Sequence, residues 1–576
     1  MALKKLLDTL KLSAKEAVVD GEHASLSELK RYLHVERKIE KDLSSLILES
    51  GSRDQSSLIL VLGNVGDGKS HLLARMWEMH KEILDTFKVY NDATESRSKH
   101  KSYLENLAEV FSPYRDGELS TGKQIVKTII AINLGTLANF LEHVGEEFNG
   151  LRKYVEDWRL IDPENTDSAP PVNDHFFSVN LTDYQIFDLQ PDGARSNVLL
   201  EVIRRIVAKN ADNPFYAAFL QDYKEDSAES YCPIRYNFEM LGLPSVQTAL
   251  SELIVKTVLV DKLIISVRLL MNLVYDLIVP AEFAQMNDEE IHQRVIEAKY
   301  QKDFYSHTLP VLLFESGSTS NILKSISGYD PVDGGSEELD EKIIKIGTSD
   351  NRRDYFVIDK LLQDKDPLFR VIQLLDTAQT ISLYLRLRFL KIDSVKLAAS
   401  PFDLYIKYLY LYNSGDIKAM LPLYKEVQNA IYLWNGLTFG NSARINLNIG
   451  RKQSLFQISQ KLELQFVPTT ILAMSDASKF SSNLSLAFKV LPHEKIFSLS
   501  IDLPLYELIA KINNGYRPNR IDKSLQVKFT QFVNDVSKFE AQNKELMIQE
   551  FTGENKQVFT LQFTPGFDDF QFKKNA

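Results

Sequence analysis

The chain has 576 residues, 44% of them apolar and 25% charged, enough to bury large cores in several domains. Its net charge of -11 opposes phosphate backbones and argues against a protein that coats DNA by itself, and its single cysteine, Cys232, rules out an intramolecular disulfide framework and leaves a buried or incidental thiol. No apolar run reaches membrane-spanning length, and the opening MALKKLLDTLKLSAKEAVVD carries charges inside its apolar stretch, so neither a membrane span nor a signal peptide is expected and the cytoplasm is the expected location.

In chain order, Ser25-Leu26-Ser27-Glu28 has a capping-box pattern, and Leu29, Leu33, Ile39, Leu43 and Ile47 follow at near-helical spacing. This predicts one long helix, closing a helical lead-in over 1–50. The apolar run SSLILVLGN predicts a buried strand, and HLLARMWEMHKEIL beyond it has a helical period. Further strands are predicted at FKVYN (87–91), within KTIIAINLG (127–135) and at HFFSVNL (175–181), with a helix over 100–111. Strands alternating with helices specify an α/β fold with a parallel sheet and crossover connections. The polar stretch 158–175, rich in Pro, Asn and Asp, reads as an insertion between strands.

After SNVLLEVIRRIVAKN the pattern is mainly helical, with a run closed by Pro280, so the nucleotide-binding module with a helical lid is placed over 51–290. Residues 291–576 read as a mainly helical region open to division into two subdomains, with a glycine-rich and acidic loop over 317–341, helices over 367–440 and strand-like runs LELQF and VFTLQF. No solenoid-type repeat occurs in the sequence.

Gly63-Asn64-Val65-Gly66-Asp67-Gly68-Lys69-Ser70 joins the first strand to the first core helix and has the spacing of a P-loop. Glycines at 63, 66 and 68 let backbone N–H groups close around phosphates, Lys69 is expected to reach the β- and γ-phosphates, and Ser70 to ligate Mg2+ at a positive helix N-terminus, with His71 beside it. ATP and Mg2+ are the expected cofactors. Asp67 is unusual there, because a carboxylate repels phosphate unless it turns away.

Hydrolysis calls for an acid at the end of another strand. The strands ending at Asn133 and Asn180 carry none in the usual place, and each asparagine has two readings: sensor of the γ-phosphate, or cap of the strand-to-helix turn. Asp92 and Glu95, in NDATES, are the first catalytic candidates, with Asp183 next; Asn91 or Asp92 as a helix cap is the competing reading. Arg268 opens a helical run from which it could stabilise transferring charge, or simply form a surface ion pair. Arg386, Arg388 and the tyrosines 405, 408, 410 and 412 could line an interface or touch nucleic acid, with the core as the favoured place for the tyrosines.

The segments LSAKEAVVDG, LKRYLHVER, LVLGNVGDGKSHLL, VYNDATES, IIAINLGTLANFL, SVNLTDY, VRLLMNLVYDLIVP and NNGYRPN, spread over nearly the whole chain, resemble the DptF family of bacterial phosphorothioation-dependent DNA restriction. The resemblance implies a defence role with two partner subunits, DptG and DptH, directed at DNA lacking the phosphorothioate mark, with DNA reached through the complex. No nuclease signature stands in this sequence. The expected function is therefore an ATP-binding, ATP-hydrolysing restriction subunit that binds DNA weakly by itself. A nucleotide-dependent assembly switch with little hydrolysis and a P-loop kinase are the alternatives.

Overall fold

A computed structural model describes residues 1–11, 27–64, 67–91, 102–121, 124–158, 160, 174–223, 231–297, 300–315, 320–334, 337–392, 400–438, 443–447, 456–468, 473–474, 476–540, 545–550, 557–564 and 569–575. The chain is mixed α/β and divides into two compact units, one of residues 1–188, 194–397 and 477–479, the other of 189–193, 398–476 and 480–576.

The first unit is built on four parallel strands, β1 (Ser57–Leu62), β2 (Lys88–Tyr90), β3 (Lys127–Ile132) and β4 (Phe176–Asn180), in the order β2-β3-β1-β4. The central strand β1 is apolar at nearly every position because helices cover both of its faces. Successive side chains alternate between two cores. Leu58, Leu60 and Leu62 pack with Ile130, Ile132, Phe111, Phe140 and Phe148, on the side of helices Tyr103–Phe111 and Leu134–His143. Ile59 and Val61 pack with Leu43, Ile47, Leu72, Met76 and Val179, on the side of helices Lys38–Ser52 and Lys69–Leu84.

The long helix expected from Ser25 onward is instead two, Glu28–Leu33 and Lys38–Ser52. Ser27 caps the first of them, its side chain accepting from the Lys30 N–H at 3.3 Å, while Ser25 lies outside the described residues. The break is chemical: the Glu40 carboxylate accepts the Arg37 backbone N–H at 3.2 Å, which starts a new helix there despite an apolar period that runs through.

The rest of this unit is helical. The helix Pro244–Asp261 is buried on most sides and packs on Asn321–Ser327 and Thr377–Lys391, so helices before and after residue 290 share one core. The expected boundary at 290 thus falls inside this unit, whose main run ends at 397. Nor is 317–341 all loop: Asn321–Ser327 forms a helix that buries Ile322, Leu323 and Ile326 and ends at Gly328. Arg386 is only 3% exposed and is held by Asp330 and Glu315, which makes it a core ion pair and not an interface residue.

The second unit combines helices with two antiparallel sheets. One has three strands, Leu464–Val467, Leu484–Val490 and Ile496–Ile501. The other orders Asp569–Asn575, Val558–Thr564, Glu545–Glu550, Phe456–Lys461 and Arg444–Asn446. Tyr405, Tyr408 and Tyr412 are core side chains here; the Tyr405 hydroxyl donates to the Ser482 carbonyl at 2.9 Å and that of Tyr408 to Glu426 at 2.9 Å. Among the described residues no single helix is long and apolar enough to cross a membrane.

Candidate functional site

Parallel strands bring all their carboxyl ends to one edge of the sheet, where open α/β folds bind ligands. Leu62 of β1 is level with Ile132 of β3 and with Asn180 of β4, so Gly63 leaves the sheet between Asn133 and Asn180. The next residue after β2 is Asn91.

The connection from β1 to the helix Lys69–Leu84 is held from within. The Asp67 carboxylate accepts the Asn64 N–H at 2.6 Å, so this acid is turned back onto the loop. Gly68 has φ +94°, a left-handed conformation at the helix N-terminus that a side chain would strain. At Gly63 the constraint is contact: a Cβ would stand 3.1 Å from Asp67 Oδ2 and 3.2 Å from Leu181 Cβ. Val65 and Gly66 lie outside the described residues.

Lys69 is the first residue of that helix, and among the described residues its ammonium donates to the carbonyls of Gly63 at 3.0 Å and Asn64 at 2.7 Å and to Asn133 Oδ1 at 2.7 Å. Asn133 occupies the N-cap position of Leu134–His143 without capping it through its side chain, which is committed to the lysine. Asn180 behaves differently. Its Oδ1 accepts from the Thr182 N–H at 3.1 Å and the Thr182 hydroxyl at 2.8 Å, and its amide donates to Asp183 at 3.0 Å, all within the turn that follows β4.

Ser70 and His71 complete the first helical turn. His71 is drawn toward the N-terminal segment: its Nε2 lies 3.0 Å from His34 Nδ1, the rings stack with centroids 5.3 Å apart, and His34 Nε2 lies 2.9 Å from the Glu40 carboxylate. Burial lowers the His71 pKa to about 4, aided by the neighbouring His34, so this imidazole is neutral at physiological pH. Arg37 stands in the same break, its Nη2 3.9 Å from where a Cβ on Gly68 would sit. Desolvation lowers its pKa, with Glu40 and Asp67 opposing the shift. Sequence reading missed His34 and Arg37 because a helical period ran across both; the residue pattern His34-Val35-Glu36-Arg37, polar and charged between apolar positions, was the available signal.

Of the acids, Asp92 and Glu95 lie outside the described residues. Asp183 sits in the turn after β4, where burial pushes its carboxyl above the usual carboxylate range against the pull of Lys479 and the Asn180 amide. Lys479 comes from a remote part of the chain; it also lies over the Tyr184 ring at 5.2 Å, and the Gln185 N–H donates to the Ser478 carbonyl at 2.7 Å. Arg268 is the second residue of the helix Val267–Ile278, which packs chiefly on Asn197–Val207, Pro233–Leu241 and Leu309–Glu315. None of those contacts joins Arg268 to the loop. Among the described residues no group of three or more His, Cys, Asp or Glu gathers in a metal-ligating arrangement.

The edge of the sheet thus offers a cation beside a glycine-constrained turn, a run of helix N-terminal amides, a hydroxyl and an asparagine, a donor set suited to an anion that carries several oxygens. No protein-family model matches the chain, and no curated protein matches it.

Proposed function

We propose that this chain is an ATP-binding and ATP-hydrolysing subunit of a phosphorothioation-dependent DNA restriction complex, working with DptG- and DptH-type partners on DNA that lacks the mark. The nucleotide half of this reading is carried by one observation: the Lys69 ammonium is gathered at the carboxyl edge of a parallel sheet by loop carbonyls and Asn133. The restriction half is carried by the resemblance of segments along the chain.

The residues present suit magnesium-ATP. Lys69 would neutralise phosphate charge, the amides that open the helix Lys69–Leu84 would donate to phosphate oxygens, and the Ser70 hydroxyl would hold magnesium. Asp67, turned onto Asn64, keeps its charge off the anion. ATP contributes a phosphoanhydride whose cleavage is favourable, and the chain's contribution is to bind, orient and shield it. Glu95 and Asp92 are the candidates for polarising water, with Asp183 next.

Asparagine is the residue that follows β3 (Asn133) and the residue that closes β4 (Asn180), and this favours a second reading in which ATP chiefly orders the assembly and turns over slowly.

The test is a thermal titration with magnesium-ATP followed by phosphate release. Saturation near 100 times Kd should stabilise the wild type by about 2.7 kcal/mol, and Lys69→Ala should lose that gain entirely. No midpoint shift for the wild type at millimolar ATP removes the nucleotide half. Phosphate release that fails to respond to partners with unmodified DNA removes the restriction half.

A further inference from the structure

We propose that Arg37, supplied by the N-terminal helical segment, is a direct ligand of phosphates bound at Lys69 and the first amides of the helix Lys69–Leu84. The inference rests on the nucleotide reading above and adds a residue that no P-loop pattern includes.

Three independent features converge on it. The first is position. The Arg37 guanidinium lies over Gly68, the residue that starts the helix Lys69–Leu84 and stands beside Lys69. An anion drawn to Lys69 and the first helical amides is thereby within reach of a second cation.

The second is its partners. Among the described residues no hydrogen bond or ion pair holds the Arg37 side chain; the contact that fixes this residue is its backbone N–H to Glu40. The nearby carboxylates are engaged elsewhere, Glu40 with that N–H and with His34, and Asp67 with the Asn64 N–H. Among the described residues the guanidinium is thus left uncommitted, and an anion at the helix start would pair with it. Its planar fork suits two phosphate oxygens at once.

The third is attachment. The chain from Glu40 through His34 to His71 ties the break between the two N-terminal helices to the helix that carries Lys69 and Ser70. Arg37 is therefore positioned beside the helix that carries Lys69, because its backbone N–H is held by Glu40 and the stacked histidines keep the two segments in register. A residue there merely to solubilise the surface would need no such anchoring.

The competing role is purely internal, in which Arg37 offsets the charge of Asp67 and steadies the loop. Binding measurements separate the two. Affinities for magnesium-ATP and for inorganic tripolyphosphate with magnesium, which has phosphates but no base, are measured for the wild type, Arg37→Gln, Arg37→Ala and Arg37→Lys, with the ligand-free melting midpoint of each. The expected result is a loss of at least tenfold in affinity for both ligands in Arg37→Gln and Arg37→Ala, partial recovery in Arg37→Lys, and little change in the ligand-free midpoints. Unchanged affinities in Arg37→Gln overturn the proposal. So does a loss confined to ATP, which would place the arginine on the base, or a loss that only tracks a lowered ligand-free midpoint. If the wild type itself binds neither ligand, the nucleotide reading falls too; if it binds both and Arg37→Gln binds equally well, this inference falls alone.

Discussion

Asn133, which follows β3, and Asn180, which closes β4, are the same residue type on the two sides of β1, yet they have opposite fates. Asn133 reaches across to Lys69, whereas Asn180 closes the turn after its own strand by bonding Thr182 and Asp183. One side of the loop is thus wired to the cation and the other is self-contained. An amide that carries both a donor and an acceptor suits either job, and the difference lies in what the following residues offer. After Asn180, a threonine and an aspartate are close enough to satisfy it locally. After Asn133 come Leu134 and Gly135, which have no polar side chain, so its acceptor is left for the lysine.

The sharpest way to break this comparison is Asn133→Ala. Its ligand-free stability is expected to stay within about 0.5 kcal/mol of the wild type, since the side chain does not cap its helix. Its ATP turnover is expected to fall at least ~10-fold, about 1.4 kcal/mol of barrier, because the amide beside Lys69 is lost where charge develops. Steady-state phosphate release read beside a melting curve decides it; normal turnover would reduce Asn133 to a resting place for the lysine.

Asn180→Ala should do the reverse. Losing the acceptor for Thr182 and the donor to Asp183 resembles the loss of a helix cap, and should cost about 1–2 kcal/mol in denaturant unfolding while the affinity for magnesium-ATP is unchanged. Weakened nucleotide binding without destabilisation would show that both asparagines serve the loop.

The smallest effect belongs to Asp183. Its folded-state pKa is raised, so the folded chain holds this proton more tightly than the unfolded chain does. That contribution to stability is fully present below the unfolded value, about 3.9, and is lost as pH rises through the folded pKa. Asp183→Asn, which keeps an acceptor for the Asn180 amide, should therefore gain stability relative to wild type as pH climbs above about 4. A difference in melting midpoint that is flat with pH would show that the carboxyl titrates normally.

Much of the first unit could be read from the chain in order. The run SLILVL, the expected strands at 87–91, 127–135 and 175–181, and the helix after Lys69 all correspond to observed elements, because each is specified by residues within a turn or two of one another. The helical region past 290 was harder to divide, since a helix such as Pro244–Asp261, buried on most sides, shows no polar face to mark where its neighbours belong.

What the sequence determined by itself is local: the turn that demands glycine at 68, the lysine that opens a helix, and the alternation that builds a parallel sheet. What only the tertiary structure decided is which distant groups meet there. The bond from Lys69 to Asn133 spans 64 residues, that from His34 to His71 spans 37, and Lys479 returns from far along the chain to face Asp183. Period and propensity act over one or two turns, whereas these meetings depend on strand order and on how two helices share one face of the sheet. For that reason the cation of the loop could be named from its spacing, and the arginine beside it, Arg37, only from the fold.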